Sequence, residues 1–186
     1  MVGAYLQALA DFGRTADPEV LLWKLKVNFA HAHKFLDASE ELKARFRAYE
    51  QDIHFPPVAV PYEGIPALLA ETHAKGIRHY LFTHRGDLAL TYLENAGLLS
   101  YFTDWVTGDD KAHFATKPSP VSILYLLEKH GIDPKDCAMN GDRVIDVGSG
   151  LAAGTDGILF DEFHRLDETA AQHRVYSIAQ LRELLF

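Results

Sequence analysis

Cysteine is almost absent from this sequence of 186 residues, which contains one, Cys137. One thiol cannot form an internal disulfide, and this excludes the small secreted folds that depend on disulfides. Cys137 opens an apolar run typical of a buried strand, so we interpret it as a core residue and not as a nucleophile. No run approaches the ~18 apolar residues of a membrane span, and the first residues lack the features of a signal peptide. We therefore expect a cytoplasmic protein without a membrane partner.

Positive charge is also scarce in this chain. It has 18 Lys and Arg residues against 26 Asp and Glu, which gives a formal net charge of −8. Proteins that bind nucleic acids need clustered cations for the phosphates, so we expect no nucleic-acid partner. Apolar residues make up 48% of the sequence, enough to bury the core of a globular protein. The composition leaves the oligomeric state open.

A proline-rich stretch at residues 55–61 divides the chain into two parts with different patterns. Before it, apolar spacing and capping residues predict helices over residues 2–12, from 17 to about 30, and from 39 to 47. Three helices without a strand predict a small helical module over residues 1–57.

Helices and strands alternate in the second part, residues 58–186. Apolar runs predict strands at 78–82, 105–107, 137–139, 157–160 and 175–176, with helices at 65–75, 87–95, 118–130 and 145–153. A capping box, Ser177 to Gln180, opens a last helix. This alternation predicts an α/β fold with a parallel sheet covered on both faces, and such folds bind ligands at the carboxyl ends of their strands.

Two polar groups near these strand ends are candidates for binding an anion. Thr83, His84 and Arg85 follow the first predicted strand and offer a hydroxyl, an imidazole and a guanidinium. Lys117 directly precedes a helix that begins with prolines, where its charge would neutralise a phosphate or a carboxylate. The structural alternatives are a capped turn at residues 83–86 and a solvated surface lysine.

A third strand end carries carboxylates. Gly141 and Asp142 follow the run at 137–139, and Asp146 comes four residues later, one turn into the next helix. Two carboxylates so placed are able to share a Mg²⁺ ion, one directly and one through water. The structural alternative is that Asp142 only caps the helix.

Taken in this order, Thr83, Lys117-Pro118 and Gly141-Asp142-x-x-x-Asp146 resemble motifs II, III and IV of HAD-type hydrolases, the haloacid dehalogenase superfamily. The glycine-flanked stretch 146–154 resembles the phosphoglycolate phosphatase-like members. The resemblance covers roughly residues 60–160, and residues 1–55 are similar to the helical cap of such proteins. It implies a Rossmann-like α/β core with a small helical cap.

The resemblance also implies an activity, the Mg²⁺-dependent hydrolysis of a small phosphorylated metabolite through a phospho-aspartate. Thr83 would bind the transferring phosphoryl group, and Lys117 would neutralise it. Asp142 would ligate the metal, with Asp146 behind it, while His84 and Arg85 would contact the substrate. A dehalogenase or phosphomutase of the same superfamily is a further alternative, although the carboxylate pair fits a Mg²⁺-dependent phosphoryl enzyme better.

The sequence departs from the family at its first motif, a strand that ends in Asp-x-Asp-Gly-Thr and supplies the nucleophile. No Asp-x-Asp occurs in these 186 residues, and the strand that ends at Asp161 is followed by neither a second Asp nor Gly-Thr. We therefore expect the first core strand to be missing and the chain as written to be inactive. A start read too late, a silent member that binds or regulates, and a strand from a partner chain are the three explanations.

Overall fold

The computed structural model describes residues 1–55, 60–164, 166 and 170–186. The chain forms two units, Met1–Ala59 and Val60–Phe186, which we call the helical unit and the α/β unit. The predicted boundary between residues 57 and 58 falls outside the described residues. In the described part, no helix is both long and apolar enough to cross a membrane.

The helical unit contains α1 (Val2–Asp11), α2 (Pro18–Val27), α3 (Phe29–Phe35) and α4 (Glu40–Gln51). The prediction of one helix from residue 17 to about 30 is wrong, because the helix ends before Asn28 and a second one begins after it. Asn28 is extended (φ −176°), and its side chain accepts a hydrogen bond from the His31 amide, which caps a new helix. Over residues 1–55 the helical unit therefore has four helices, where the sequence predicted three.

Aromatic packing holds the core of the helical unit together. The ring of Tyr5, fully buried in α1, stacks on Phe46 of α4 with centroids 3.6 Å apart. Its hydroxyl lies 2.7 Å from His33 Nε2, and burial is the largest influence that raises the pKa of Tyr5 to about 12. The phenol is therefore neutral at pH 7 and forms a neutral hydrogen bond with the imidazole of His33.

The α/β unit alternates helices and strands as predicted. The strands are β1 (His79–Phe82), β2 (Phe102–Val106), β3 (Ala138–Gly141), β4 (Asp156–Phe160) and β5 (His173–Val175). The helices are α5 (Ile65–Ala74), α6 (Leu88–Asn95), α7 (Val121–His130), α8 (Val144–Ala152) and α9 (Ile178–Leu185). The helix predicted to begin at residue 118 begins instead at Val121, after the prolines at 118 and 120.

All pairs of neighbouring strands are parallel, which confirms the predicted α/β class. In the described residues the strands form two sheets, one of β1 and β2 and one in the order β3-β4-β5. No ladder joins β1 to β3 within that part of the chain. Because the strands of each sheet run the same way, Phe82 pairs with Val106 and Gly141 with Leu159 near their carboxyl ends.

Helix α7 packs against the sheet of β1 and β2. Its buried residues Ile123, Leu126 and Leu127 form one apolar cluster with Phe82 of β1 and Val106 of β2. Transfer of such side chains out of water is the main term that stabilises this layer, at about 1.5–3 kcal/mol for each fully buried residue.

The half-buried carboxylate of Asp104 ties β2 to the end of the same helix. Asp104 accepts hydrogen bonds from Lys129 Nζ and His130 Nε2, each at 2.7 Å. Burial is the largest single influence and raises the pKa of Asp104. The hydrogen bonds of Lys129, His130 and the Trp105 amide together outweigh it and bring the pKa to about 2.

The second sheet has its own cover of helices. Leu68 of α5 and Leu181 of α9 pack on Ile158 of β4 and Val175 of β5. The capping box predicted for α9 is present, since Ser177 Oγ accepts from the amide of Gln180 at 3.2 Å. Helices thus hold both sheets in place and leave the carboxyl ends of the strands to loops.

Candidate active site

The loop after β1 presents a hydroxyl at the carboxyl end of the strand. The Thr83 amide donates to the Val106 carbonyl at 3.1 Å and so extends the pairing of β1 with β2. Thr83 Oγ1 accepts from the Arg85 amide at 3.1 Å. A hydroxyl that accepts a hydrogen bond keeps its own proton, so Thr83 is able to donate to a ligand oxygen.

Arg85, the cation predicted at this loop, is packed against the neighbouring helix. Its guanidinium carbon lies 5.2 Å from the ring centroid of Tyr92 in α6. Its carbonyl accepts from the Gly108 amide at 2.8 Å, which joins the loops that follow β1 and β2. A Cβ on Gly108 would lie 2.5 Å from the His84 carbonyl oxygen, so only glycine permits this approach.

Lys117 is the central cation of the site and is buried. Its side chain is 6% exposed, and Nζ donates to the Phe82 carbonyl and to Asp146 Oδ1, both at 2.9 Å. Phe82 ends β1, whereas Asp146 follows β3, so one ammonium group links the two sheets. The structural alternative for Lys117, a solvated surface lysine, is wrong because its side chain is buried.

The backbone around Lys117 is fixed as well as its side chain. Its amide donates to His84 Nε2 at 2.8 Å, and the Lys117–Pro118 peptide bond is cis. The loop before it is bound to α7, where the fully buried Ser122 Oγ donates to the His113 carbonyl and accepts from the Ala115 amide, both at 2.9 Å. These bonds anchor the loop onto the start of α7.

Asp146 lies in the first turn of α8 and is almost completely buried. Its Oδ1 accepts from Lys117 and also lies 3.4 Å from Arg143 Nη2. The first turn of α8 packs closely on the end of β3 because residue 141 is a glycine, since a Cβ there would stand 2.2 Å from the Asp146 Cβ. Asp142 lies between Gly141 and Arg143, at the end of β3, so both predicted carboxylates lie at this edge.

Burial and charge act against each other on the Lys117–Asp146 pair. Burial lowers the pKa of Lys117, and the Asp146 carboxylate restores only part of it. Burial is also the largest single influence on Asp146 and raises its pKa. The charges and hydrogen bonds of Lys117 and Arg143 outweigh it, so the pKa of Asp146 lies below its ordinary value. The carboxyl is therefore ionised at neutral pH.

Arg143 is a site residue that the sequence did not single out. Its side chain is 22% exposed and shares Asp146 Oδ1 with Lys117. The available signal was its position three residues before Asp146, a spacing at which side chains in a first helical turn meet. Two cations therefore flank one carboxylate, and the site has more positive charge than the sequence predicted.

The donor set at this edge consists of oxygen groups and cations. Among the described residues, no three His, Cys, Asp or Glu side chains gather as a metal site. Asp142 and Asp146 are the two carboxylates next to the Lys117 loop and α8, and carboxylates suit a hard cation completed by water and substrate oxygens. The site thus combines a hydroxyl and a buried ammonium, which suit an anion, with two carboxylates, which suit a cation.

Comparison with known proteins agrees with such a site. A family model described as haloacid dehalogenase-like hydrolase matches residues 4–154. The chain belongs to this family of hydrolases, and the resemblance found in its motifs is confirmed. A hydrolase from Streptococcus pneumoniae TIGR4 has a similar structure, with a TM-score of 0.67, 32% identity, and coverage of 99% of this chain and 88% of that one.

Two relatives differ in the reaction that they are named for. The phosphoglycolate phosphatase of Vibrio parahaemolyticus serotype O3:K6 is 30% identical over 122 residues, 63% of this chain and 53% of its own length. The pyrophosphatase PpaX of Bacillus velezensis is 30% identical over 117 residues, 62% of this chain and 53% of its own length. The chain spans about half the length of these two enzymes.

Proposed function

We propose that this chain carries the phosphate-binding part of a Mg²⁺-dependent phosphatase that acts on small phosphate monoesters of the phosphoglycolate type. The observation that carries the proposal is the buried Lys117 ammonium, held at the carboxyl ends of strands from both sheets. Catalysis of phosphoryl transfer consists mainly of positioning and of neutralising charge, and a cation fixed in a water-poor site serves both.

Each residue proposed to bind the phosphate ester acts as a hydrogen-bond donor. An ammonium group has three protons, and Lys117 directs two of them at Phe82 and Asp146, which leaves one for a phosphoryl oxygen. The Thr83 hydroxyl donates to a second oxygen. Arg85 is a proposed contact for the rest of the substrate, once its guanidinium moves from the face of Tyr92.

The carboxylates present fit a magnesium ion. Mg²⁺ in phosphoryl enzymes is often held by one or two carboxylates, with water and substrate phosphate as the remaining ligands. Asp142 would hold it directly, and Asp146 would act through water because its Oδ1 already accepts from two cations. When bound, the metal would neutralise charge on the phosphoryl oxygens.

The first motif of the family, which supplies the nucleophile, has no recognisable counterpart in these 186 residues. No Asp-x-Asp pair occurs in them, and we propose that these 186 residues bind phosphate without hydrolysing a phosphate ester. The same observation favours a second candidate, a catalytically silent ligand-binding or regulatory protein. Among the described residues no ladder joins β1 to β3, and the family resemblance would put the nucleophile strand between them.

The first test measures binding and turnover separately. Inorganic phosphate is titrated by calorimetry, with and without Mg²⁺, into the wild type, Lys117→Met and the control Lys111→Met. We expect Lys117→Met to weaken binding about tenfold or more, since it removes a charge-assisted hydrogen bond, and Lys111→Met to bind as the wild type does. Equal affinity in all three proteins would refute the proposed phosphate site.

Turnover of p-nitrophenyl phosphate then separates the two candidates. We expect no turnover by the chain alone. Activity on adding a peptide with an apolar strand that ends in Asp-x-Asp-Gly-Thr would support the phosphatase, and the same peptide with both Asp changed to Asn is the control. Phosphate binding without turnover under either condition would favour the silent binding protein.

A further inference from the structure

The ring of His84 is fixed in place by its surroundings. It meets Phe82 and Phe114 edge to face, with centroids 6.2 Å and 5.7 Å away and interplanar angles of 74° and 79°. Its backbone passes close to Gly108, where a Cβ would stand 2.5 Å from the His84 carbonyl oxygen. The two ring contacts restrict the imidazole to one orientation, whereas a solvent-exposed side chain samples several.

One nitrogen of this imidazole is already engaged. The Lys117 amide donates to His84 Nε2 at 2.8 Å, a contact between residues 33 positions apart in the chain. A backbone amide is only a donor, so Nε2 carries a lone pair and the ring proton is on Nδ1. The hydrogen bond therefore requires one neutral tautomer of His84.

Lys117 is thus held at both ends. His84 fixes its backbone nitrogen, while Phe82 and Asp146 fix its Nζ. We propose that His84 is a positioning residue, whose neutral imidazole sets the place of Lys117 and so the direction of its remaining ammonium proton. This inference rests on the phosphate-binding function proposed above, but the contact itself is testable without any ligand.

The charges that face His84 agree with a neutral ring. Burial is the largest influence that lowers the pKa of His84 below its ordinary value of 6.5. The cations of Lys117 and Arg143 lower it further, and the Asp146 carboxylate opposes them. Protonation would put a second N–H opposite the Lys117 amide and break the contact, so the imidazole acts as an acceptor at neutral pH.

Two substitutions separate the acceptor from the bulk of the ring. In His84→Gln the amide oxygen lies as many bonds from Cβ as Nε2 does, so an acceptor remains for the Lys117 amide. In His84→Asn the amide ends one bond earlier and does not reach. His113→Gln is the matched control, because that ring bonds to Asp110 and stacks on Tyr125.

The measurement is the exchange rate and chemical shift of the Lys117 amide in ¹⁵N-labelled protein at pH 7. We expect roughly tenfold faster exchange in His84→Asn, at the upper end of what one hydrogen bond contributes, and a rate within twofold of the wild type in His84→Gln. The His113→Gln control should leave this amide unchanged. Equal exchange in the wild type and His84→Asn would overturn the proposal.

A measurement on the wild type covers the case in which the variants fail to fold. The ¹⁵N shifts of the His84 ring should show a protonated Nδ1 and an unprotonated Nε2. The opposite tautomer, or a charged ring at pH 7, would overturn the inference without any mutation.

Titration with inorganic phosphate distinguishes a failure here from a failure of the proposed function. We expect His84→Asn to weaken phosphate binding several-fold and His84→Gln to restore it. If the wild type binds no phosphate but the Lys117 amide responds as expected, the phosphate site is wrong and the role of His84 stands. If phosphate binds equally to all variants, His84 does not position Lys117 for the ligand.

Discussion

The buried Lys117–Asp146 pair gives the sharpest prediction, because removing either partner leaves a charge in a site that water hardly reaches. The two side chains are 6% and 5% exposed and 2.9 Å apart. Breaking such a pair by removing one partner typically costs about 3–5 kcal/mol of unfolding free energy, most of it the cost of the uncompensated charge.

The two possible deletions are not equivalent in this structure. In Lys117→Met, the Asp146 carboxylate keeps Arg143 at 3.4 Å as a second cation. In Asp146→Ala, the Lys117 ammonium keeps the Phe82 carbonyl, a neutral acceptor. We therefore expect Asp146→Ala to cost about 4 kcal/mol and Lys117→Met about 2–3 kcal/mol, so that removal of the anion is the more destabilising change.

Urea unfolding at pH 7, followed by tryptophan fluorescence, measures both costs. The sequence has two tryptophans, so a Trp23→Phe background leaves Trp105 as the reporter of the α/β unit. Lys111→Met is the control, since its Nζ makes one long contact at 3.5 Å and its loss should change stability by about 0.5 kcal/mol at most. Costs below about 1 kcal/mol for both variants, or a larger cost for Lys117→Met, would refute the reasoning.

Three further predictions concern the support of this site. Gly141→Ala should cost at least about 3 kcal/mol in urea unfolding, because its Cβ would meet that of Asp146 at 2.2 Å. Ser122→Ala should cost about 1–3 kcal/mol, since it leaves the Ala115 amide and the His113 carbonyl without that hydroxyl. The pKa of Asp104 is lower in the folded protein, so its carboxylate should stabilise the fold by about 1 kcal/mol after screening by water. This contribution should be present above pH 3.8 and lost as the pH falls through about 2. Asp104→Asn should flatten this acid slope of the unfolding free energy.

Matched variants decide the first two predictions, and the acid slope decides the third. Gly148→Ala meets Pro118 at an ordinary 3.4 Å and should be neutral or slightly stabilising; if it costs as much as Gly141→Ala, close approach is not the cause. Ser119→Ala should cost about 0.5 kcal/mol at most, and an equal loss in Ser122→Ala would contradict the anchoring of the loop. An unchanged acid slope in Asp104→Asn would show that another carboxyl titrates there.

The fold was predictable to the extent that local patterns determine it. Alternating helices and strands gave the α/β class and the parallel strands, because a parallel connection needs a helix-length crossover. The break at Asn28 was missed because apolar spacing continues across it, and only the cap to His31 reveals a new helix. Strand bounds shifted by one to three residues, since pairing with neighbours and not propensity sets where a strand ends.

The site was predictable in its motifs but not in its internal contacts. Thr83, Lys117 and the aspartates could be proposed because they follow strands, and carboxyl ends of parallel strands meet at one edge. The sequence could not show that Asp146 is shared by Lys117 and Arg143, nor that Lys117 takes its backbone acceptor from His84. The contacts of Lys117 with Asp146 and His84 join residues 29 and 33 positions apart in the chain, which local patterns do not predict.

The division into two sheets makes Lys117 a link between them, because its ammonium group bonds to a residue on each side. With no ladder between β1 and β3 in the described residues, backbone pairing does not fix the distance between the two strand ends. The Lys117 ammonium is 2.9 Å from an acceptor on each side, so it sets a distance that a shared strand would otherwise set. If the strand that the family resemblance implies lay between β1 and β3, its carboxyl end would come near this ammonium and its remaining proton. The residue best suited to pair with this cation there is one with a carboxylate, because a buried ammonium is stabilised most by an opposite charge.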